Sequence, residues 1–203
     1  MGNVQIADGY DLLVGQMLKF AVRQSGGCGA VLRCQIHHIL QYFQTPDPKD
    51  FDVATDATPE QVVALFKGAR IIGRRFQIVH VRMGREIIEV TTFRGDHAGD
   101  SSTLSKTSQN GRLLRDNVYG TLDQDAARRD LTINAMYLDP TNKIILDDLG
   151  GLEDVKRRIV RIIGDPATRY REDPVRMLRV VRFAAKLGFS VDSDSLRAIS
   201  ACQ

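Results

Sequence analysis

The sequence predicts an α/β fold: a small mixed sheet with flanking helices, giving way to helices toward the end of the chain. Three observations carry that expectation. Between residues 71 and 93, β-branched and aromatic residues come in short runs separated by Gly73 and Gly84, as neighbouring strands do. Thr58-Pro59-Glu60-Gln61, an N-cap followed by proline at the first helical position, comes directly after a strand-like run. After the Gly150–Gly151 turn, apolar residues return at helical spacing.

Taken in order, residues 1–44 carry weak and mixed signals, with Gly26, Gly27 and Gly29 beside Cys28 and a candidate helix around Ile36 to Phe43. This stretch reads as a divergent N-terminal segment. Pro46 and Pro48 punctuate the chain, and Phe51 to Thr55 reads as a short strand ending in a polar turn. The capped helix after it runs through Val62, Val63, Leu65 and Phe66. Ile71–Ile72, Phe76–Val81 and Glu86–Phe93 follow as strands. Gly95 to Asn110 is rich in Ser, Thr, Asp and Gly and is expected to be a long mobile loop. Asp123 to Tyr137 reads as one helix and Lys143 to Leu149 as a further strand. From Asp173 to Leu187, Val175, Leu178, Val181, Phe183, Ala184 and Leu187 recur at three- and four-residue steps, predicting an amphipathic helix with an arginine-rich opposite face. One more short helix fits between Val191 and Ile199, and the helical layer then looks cut off.

The chain has 203 residues, of which 43% are hydrophobic, enough for one core and part of a second. Twenty-eight Lys and Arg against 25 Asp and Glu leave a net charge of +3, mild support for a polyanionic partner. Arginine clusters at Arg74–Arg75, Arg128–Arg129, Arg157–Arg158 and from Arg169 to Arg182 fit phosphate binding, and equally fit solvated helix faces. Cys28, Cys34 and Cys202 have no paired spacing, which argues against a disulfide scaffold or zinc ribbon and for a reducing compartment. No apolar run approaches the roughly 20 residues of a membrane span, and no signal-peptide pattern opens the chain. The expectation is a cytoplasmic protein without a membrane partner.

Three groups of residues could carry chemistry. Asp50 and Asp52 flank Phe51, and on a strand residues two apart share a face, so their carboxylates could converge while Phe51 enters the core. Hard divalent ions suit such oxygens, and two of them about 4 Å apart can activate a 3′ hydroxyl and stabilise a leaving pyrophosphate. The same pair also fits solvated turn residues. Glu89 lies in the apolar run Ile87-Ile88-Glu89-Val90, where it is either buried with a metal or arginine partner or turned outward on a half-exposed strand. In Arg128-Arg-Asp-Leu-Thr-Ile-Asn134, two guanidinium groups, a carboxylate and an amide fall within two helical turns, with Asp130 and Asn134 on one face. Finally, Asp173 and Arg176 stand three apart at a helix start, able to read a base edge or to form an intrahelical ion pair.

Four segments in this order resemble the bacterial poly(A) polymerase and CCA-adding tRNA nucleotidyltransferase family: Lys49–Gln61, Ile87–Arg94, Arg128–Ala135 and Arg171–Arg179. The resemblance covers about Thr45 to Phe189. It implies a nucleotidyltransferase head over residues 45–164, followed over residues 165–203 by the start of a helical neck. It further implies that Asp50 and Asp52 bind Mg²⁺ or Mn²⁺, with Glu89 or Asp130 as the third acidic residue. Arg129, Asp130 and Asn134 would contact the sugar or phosphates of the nucleotide, and Asp173 and Arg176 its base. The substrates implied are ATP and RNA 3′ ends. Ile71 to Val81 and the Ser/Thr-rich segment before Asn110-Gly111-Arg112 resemble the poly(A) polymerases within the family, with CCA addition to tRNA as the alternative. Family members carry a glycine-rich turn and an Arg-Asp pair ahead of the paired aspartates. Ser25 to Cys34 departs from that pattern, which keeps a third expectation open: an inactive relative that only binds nucleotide or RNA.

Overall fold

The computed structural model describes residues 52–74, 76–95, 118–139 and 144–202, and the strand pairing of residues 30–33, 105–107 and 113–116. The candidate helix near Ile36 to Phe43, the glycine-rich segment before β1 and Asp50 lie outside the described residues.

The chain runs β1 (Ala30–Arg33), β2 (Asp52–Thr55), α1 (Pro59–Leu65), β3 (Arg70–Ile72), β4 (Ile78–Met83), β5 (Glu86–Thr92), β6 (Ser105–Thr107), β7 (Leu113–Asp116), α2 (Leu122–Ala127), β8 (Tyr137–Asp139), β9 (Ile144–Leu146), α3 (Gly151–Arg157), β10 (Ile159–Val160), α4 (Pro166–Glu172), α5 (Val175–Leu187), β11 (Ser190–Val191) and α6 (Ser193–Ala201). Seven strands form one sheet in the order β3-β4-β5-β2-β1-β8-β9. Within it β2 and β5 are parallel and the other neighbours antiparallel, so the sheet is mixed, as expected.

Period-two alternation gives this sheet two unlike faces. Val53, Val79, Val81, Ile88, Val90 and Leu138 point to one side and bury themselves against Val62 of α1. Each such side chain contributes about 1.5–3 kcal/mol when removed from water. α1 can reach that face because its start is fixed: the Thr58 hydroxyl accepts from the Gln61 amide, and the Gln61 side chain accepts from the Thr58 amide at 2.8 Å. The opposite face is split. At one end Ala54, Phe93 and Tyr137 pack with Ala126, Ala135 and Ile163; at the other stand Asp52, His80 and Glu89.

The helices after residue 164 join a core supplied from both sides. Tyr170, Val180, Phe189 and Ala198 pack with Leu131, Ile133, Met136 and Val155. The short parallel pair of β10 with β11 stitches the two segments together.

Three expectations change. Asp123 to Tyr137 is not one helix: α2 ends at Ala127, Leu131 bridges to Ile162, a single 3-10 turn covers Thr132–Asn134, and β8 begins at Tyr137. Main-chain bonds from Thr132 to Arg161 and from Ile163 to Asp130 pull the backbone out of the helix, so tertiary pairing overrides local spacing. Within Gly95 to Asn110, Ser105–Thr107 is a strand rather than loop, paired with Leu113–Asp116. Its partner comes from outside the segment, beyond the reach of composition. On α5, the packed residues are Val180 with Met177, Phe183, Ala184 and Leu187, whereas Val175, Leu178 and Val181 are exposed.

Candidate active site

Glu89 faces outward. Ile88 and Val90 are buried while Ile87 and Glu89 project from the other side of β5, so the half-exposed alternative holds. In the parallel pairing of β2 with β5, Asp52 is the register partner of Glu89, which sets both carboxylates on one face of adjacent strands. On the other side Glu89 is opposite His80 of β4, whose Nε2 is 3.5 Å from the Glu89 carboxylate. Two carboxylates on one accessible face are hard oxygen donors of the kind that suits Mg²⁺ or Mn²⁺, ions held by one or two carboxylates plus substrate phosphates. Asp50, two positions before Asp52, lies outside the described residues. Among the described residues no group of three or more His, Cys, Asp or Glu side chains is arranged to hold a metal ion.

Asp130 sits elsewhere, at the junction with α5. It accepts from the Leu131 amide at 2.9 Å, from Asn134 Nδ2 at 3.4 Å and from the Arg179 guanidinium. The structure therefore brings Asp130 and Asn134 together as expected, through a 3-10 turn rather than a shared helical face. Burial pushes the Asp130 carboxyl up, but the Arg179 hydrogen bond and charge, with the Leu131 and Asn134 donors, outweigh it and hold it below its ordinary value. Arg179 is 49 positions away in sequence, and no spacing rule links the two.

Arg129 is enclosed. Its Nη2 bonds Asp125 at 2.5 Å, its Nε donates to the Tyr137 hydroxyl at 3.0 Å, and Tyr137 in turn donates to Asp125 at 2.5 Å. The Arg94 amide adds a further bond to Asp125 at 3.1 Å. Burial alone would raise the Asp125 carboxyl; the Arg129 charge and the Tyr137 and Arg129 hydrogen bonds reverse that and lower it. Burial, against the opposing Arg129 charge, drives the Tyr137 hydroxyl upward. The four-residue step from Asp125 to Arg129 was a usable signal for this pair; the role of Tyr137, on a strand, was not legible.

Asp173 and Arg176 do not pair through their side chains. Asp173 Oδ1 caps the Val175 amide at 3.2 Å, while Arg176 Nη1 reaches Glu172 at 2.7 Å and the Arg169 carbonyl at 3.0 Å. Arg169 donates to the carbonyls of Arg128 and Arg129 at 2.7 and 2.6 Å, tying α4 to the turn that carries Asp130.

A family model described as the Poly A polymerase head domain matches residues 41–161. The chain belongs to that family. Among poly(A) polymerase relatives, Poly(A) polymerase I of Escherichia coli O157:H7 is 55% identical over 154 residues, 75% of this chain and 33% of the relative. The CCA-adding enzyme of Bacillus licheniformis is 37% identical over 153 residues, 75% of this chain and 36% of the relative. The chain thus spans about a third of the length of the curated relatives it matches. The crystal structure of Bacillus stearothermophilus CCA-adding enzyme in complex with CTP superposes with a TM-score of 0.73 at 30% identity, covering 94% of this chain and 43% of that one. Among the described residues no helix is long and apolar enough to cross a membrane.

Proposed function

We propose that this chain is the catalytic part of a cytoplasmic, template-independent polynucleotide adenylyltransferase, a head over residues 45–164 with the start of a neck over residues 165–203. The reaction is attack of an RNA 3′ hydroxyl on the α-phosphate of ATP: one phosphorus–oxygen bond forms to the ribose, the bond to the bridging oxygen breaks, and pyrophosphate departs. The single observation that carries this reading is the register of Asp52 with Glu89 on an accessible sheet face. The higher identity to poly(A) polymerase I than to a CCA-adding enzyme supports ATP and a general RNA end over CTP and tRNA.

In this mechanism Asp50, Asp52 and Glu89 hold divalent ions, with Glu89 rather than Asp130 as the third acid, because Asp130 is already committed to Arg179. Bound there, such ions would supply Lewis acidity, lowering the pKa of the 3′ hydroxyl and offsetting charge on the triphosphate. The sheet, backed by α1, keeps the carboxylates fixed. Asn134, anchored on Asp130, would orient the ribose, and Arg129 would act by bracing the turn that presents them. Asp173 and Arg176, at the start of α5, are proposed to contact the base, which would require Arg176 to exchange Glu172 for the nucleotide.

The test is to incubate the purified chain and Mg²⁺ with an oligo(A) primer, or with tRNA lacking its CCA end, and ATP or CTP. ATP-dependent tails on the primer are expected. Growth of tRNA with CTP would replace the assignment with CCA addition, and nucleotide or RNA binding without any extension would reduce the chain to a binding relative.

A further inference from the structure

The sheet face that carries Glu89 holds a second set of side chains that nucleotidyl transfer does not use. Register places Arg70, His80, Glu89 and Asp52 in one cross-strand row, pairs Ile72 with Ile78 and Ala54 with Thr91, and sets Arg82 opposite Ile87 on the other flank. Arg70 and Arg82 are exposed, Ile72 is 42% and Ile87 60% exposed, while the residues alternating with them on β4 and β5 are buried. Exposed aliphatic side chains side by side with arginines are the composition of a surface that takes a partly apolar polyanion.

Just before β4 the same surface ends in Phe76, 39% exposed. Its position is built rather than incidental. The Arg94 guanidinium lies 4.9 Å from the ring centroid and donates to the Gln77 carbonyl at 3.4 Å, and the Tyr119 hydroxyl donates to the Gln77 side chain at 3.3 Å. The turn leading into it needs Gly73: φ there is +85°, and a Cβ would fall 2.3 Å from the Phe76 carbonyl oxygen. The ring is thus partly exposed at the edge of the sheet face and braced by a guanidinium. A flat π surface with a stacked guanidinium is the form on which unpaired bases sit, with a free energy that does not depend on base identity.

We propose that this face seats the last nucleotides of the RNA to be extended. One base stacks on the Phe76–Arg94 pair, the next lies over Ile72 and Ile78, and Arg70 draws the phosphates toward Asp52 and Glu89. Charge supports that occupant: the backbone of an RNA strand complements the exposed Arg70 and Arg82. Length does too, since the four residue steps from Phe76 to His80 span about 13 Å of extended chain, room for a short stack of bases spaced roughly 3.4 Å apart. The proposal rests on the nucleotidyl-transfer reading for its polarity, with the 3′ end toward Glu89.

The test uses the whole chain and a fluorescein-labelled oligo(A), read by anisotropy, alongside oligonucleotides carrying one abasic site at each of the last positions in turn. Phe76→Ala is expected to weaken binding about tenfold, the loss of one stacked base, with an unchanged melting temperature, and Phe76→Trp to restore it. The penalty should vanish for one abasic position only. Arg70→Gln is expected to reduce the salt slope of binding by about one. Unchanged affinity of Phe76→Ala, an equal penalty at every abasic position, or no oligo(A) binding by the chain would overturn the proposal. So would a dimer, seen by light scattering, that Phe76→Ala or Ile72→Ala dissociates, because the face would then be a subunit interface. If the chain extends oligo(A) and Phe76→Ala behaves as wild type, the primer seat falls and the transferase stands. If Phe76-dependent binding occurs with no product from ATP or CTP, the seat stands and the transferase falls.

Discussion

Two pairs of acids in this molecule are treated in opposite ways. Asp52 and Glu89 stand on an accessible sheet face, where the described partner of Glu89 is His80. Asp125 and Asp130, further along the chain, are each closed in by an arginine: Arg129 for the first, Arg179 for the second. An acid already neutralised by a guanidinium has little left to offer a metal ion and much to offer the fold. An acid on an accessible sheet face beside another acid can still turn oxygens toward an arriving cation. Burial and partner, rather than residue type, therefore separate the acids proposed for catalysis from those that hold the turn of residues 128–134.

The largest effect that would break this contrast is on turnover. Asp52→Asn or Glu89→Gln removes a carboxylate proposed to hold an ion, and loss of several kcal/mol of charge stabilisation corresponds to about 10³-fold or more in the rate of ATP-dependent primer extension. The melting temperature of both variants is expected to stay near that of the parent. Extension within tenfold of wild type for Glu89→Gln would remove Glu89 from the proposed ion site and return Asp130 to contention.

The mirror experiment reads stability. Asp125→Ala strands the enclosed Arg129 charge and the Tyr137 hydroxyl, and breaking one side of such a pair costs about 3–5 kcal/mol. Urea unfolding should show it as a lower midpoint at unchanged slope. Replacing Asp125 and Arg129 together with apolar residues should recover much of the loss, since the penalty belongs to the orphaned charge.

The Asp130–Arg179 pair is more exposed on its arginine side, so Arg179→Ala is expected to cost only about 1 kcal/mol. Its pH dependence has a fixed sign. Asp130 is held below the ordinary aspartate value of 3.8 in the folded chain. Its contribution is therefore fully present above that value and is lost as pH falls through the depressed folded value. In Arg179→Ala the part of the acid-side fall in stability due to Asp130 should shrink. An identical pH profile for parent and variant would mean that Arg179 is not what depresses the Asp130 carboxyl.

How much of this was legible depends on the range of the interaction that decides each element. The strands from Ile71 to Phe93 and the helix after Thr58 were readable because their causes are local: alternation of side chains and a capping box. The outward turn of Glu89 was one of two readings until register chose between them. The 128–134 segment was misread as helix because its spacing is helical while its fate is set by Ile162 and Arg161, some thirty residues away. The same holds for the site: Asp52 could be singled out from its neighbours, but the Arg179 partner of Asp130 belongs to another helix.

The smallest predicted effect tests the same lesson on α5. Its sequence offers two apolar stripes, Val175-Leu178-Val181 and Met177-Val180-Ala184-Leu187, and spacing cannot choose because each steps by three or four. The structure buries the second against Tyr170, Leu131 and Ile133 and leaves Leu178 71% exposed. Leu178→Lys should then change unfolding free energy by no more than about 0.5 kcal/mol, the range of surface substitutions. Val180→Ala, which deletes two methyl groups from a filled interior, should cost clearly more, about 1–2 kcal/mol. If the order were reversed in urea unfolding, α5 would pack by the other stripe. Arg179 would then face away from Asp130, and the enclosed half of the contrast would lose its second arginine.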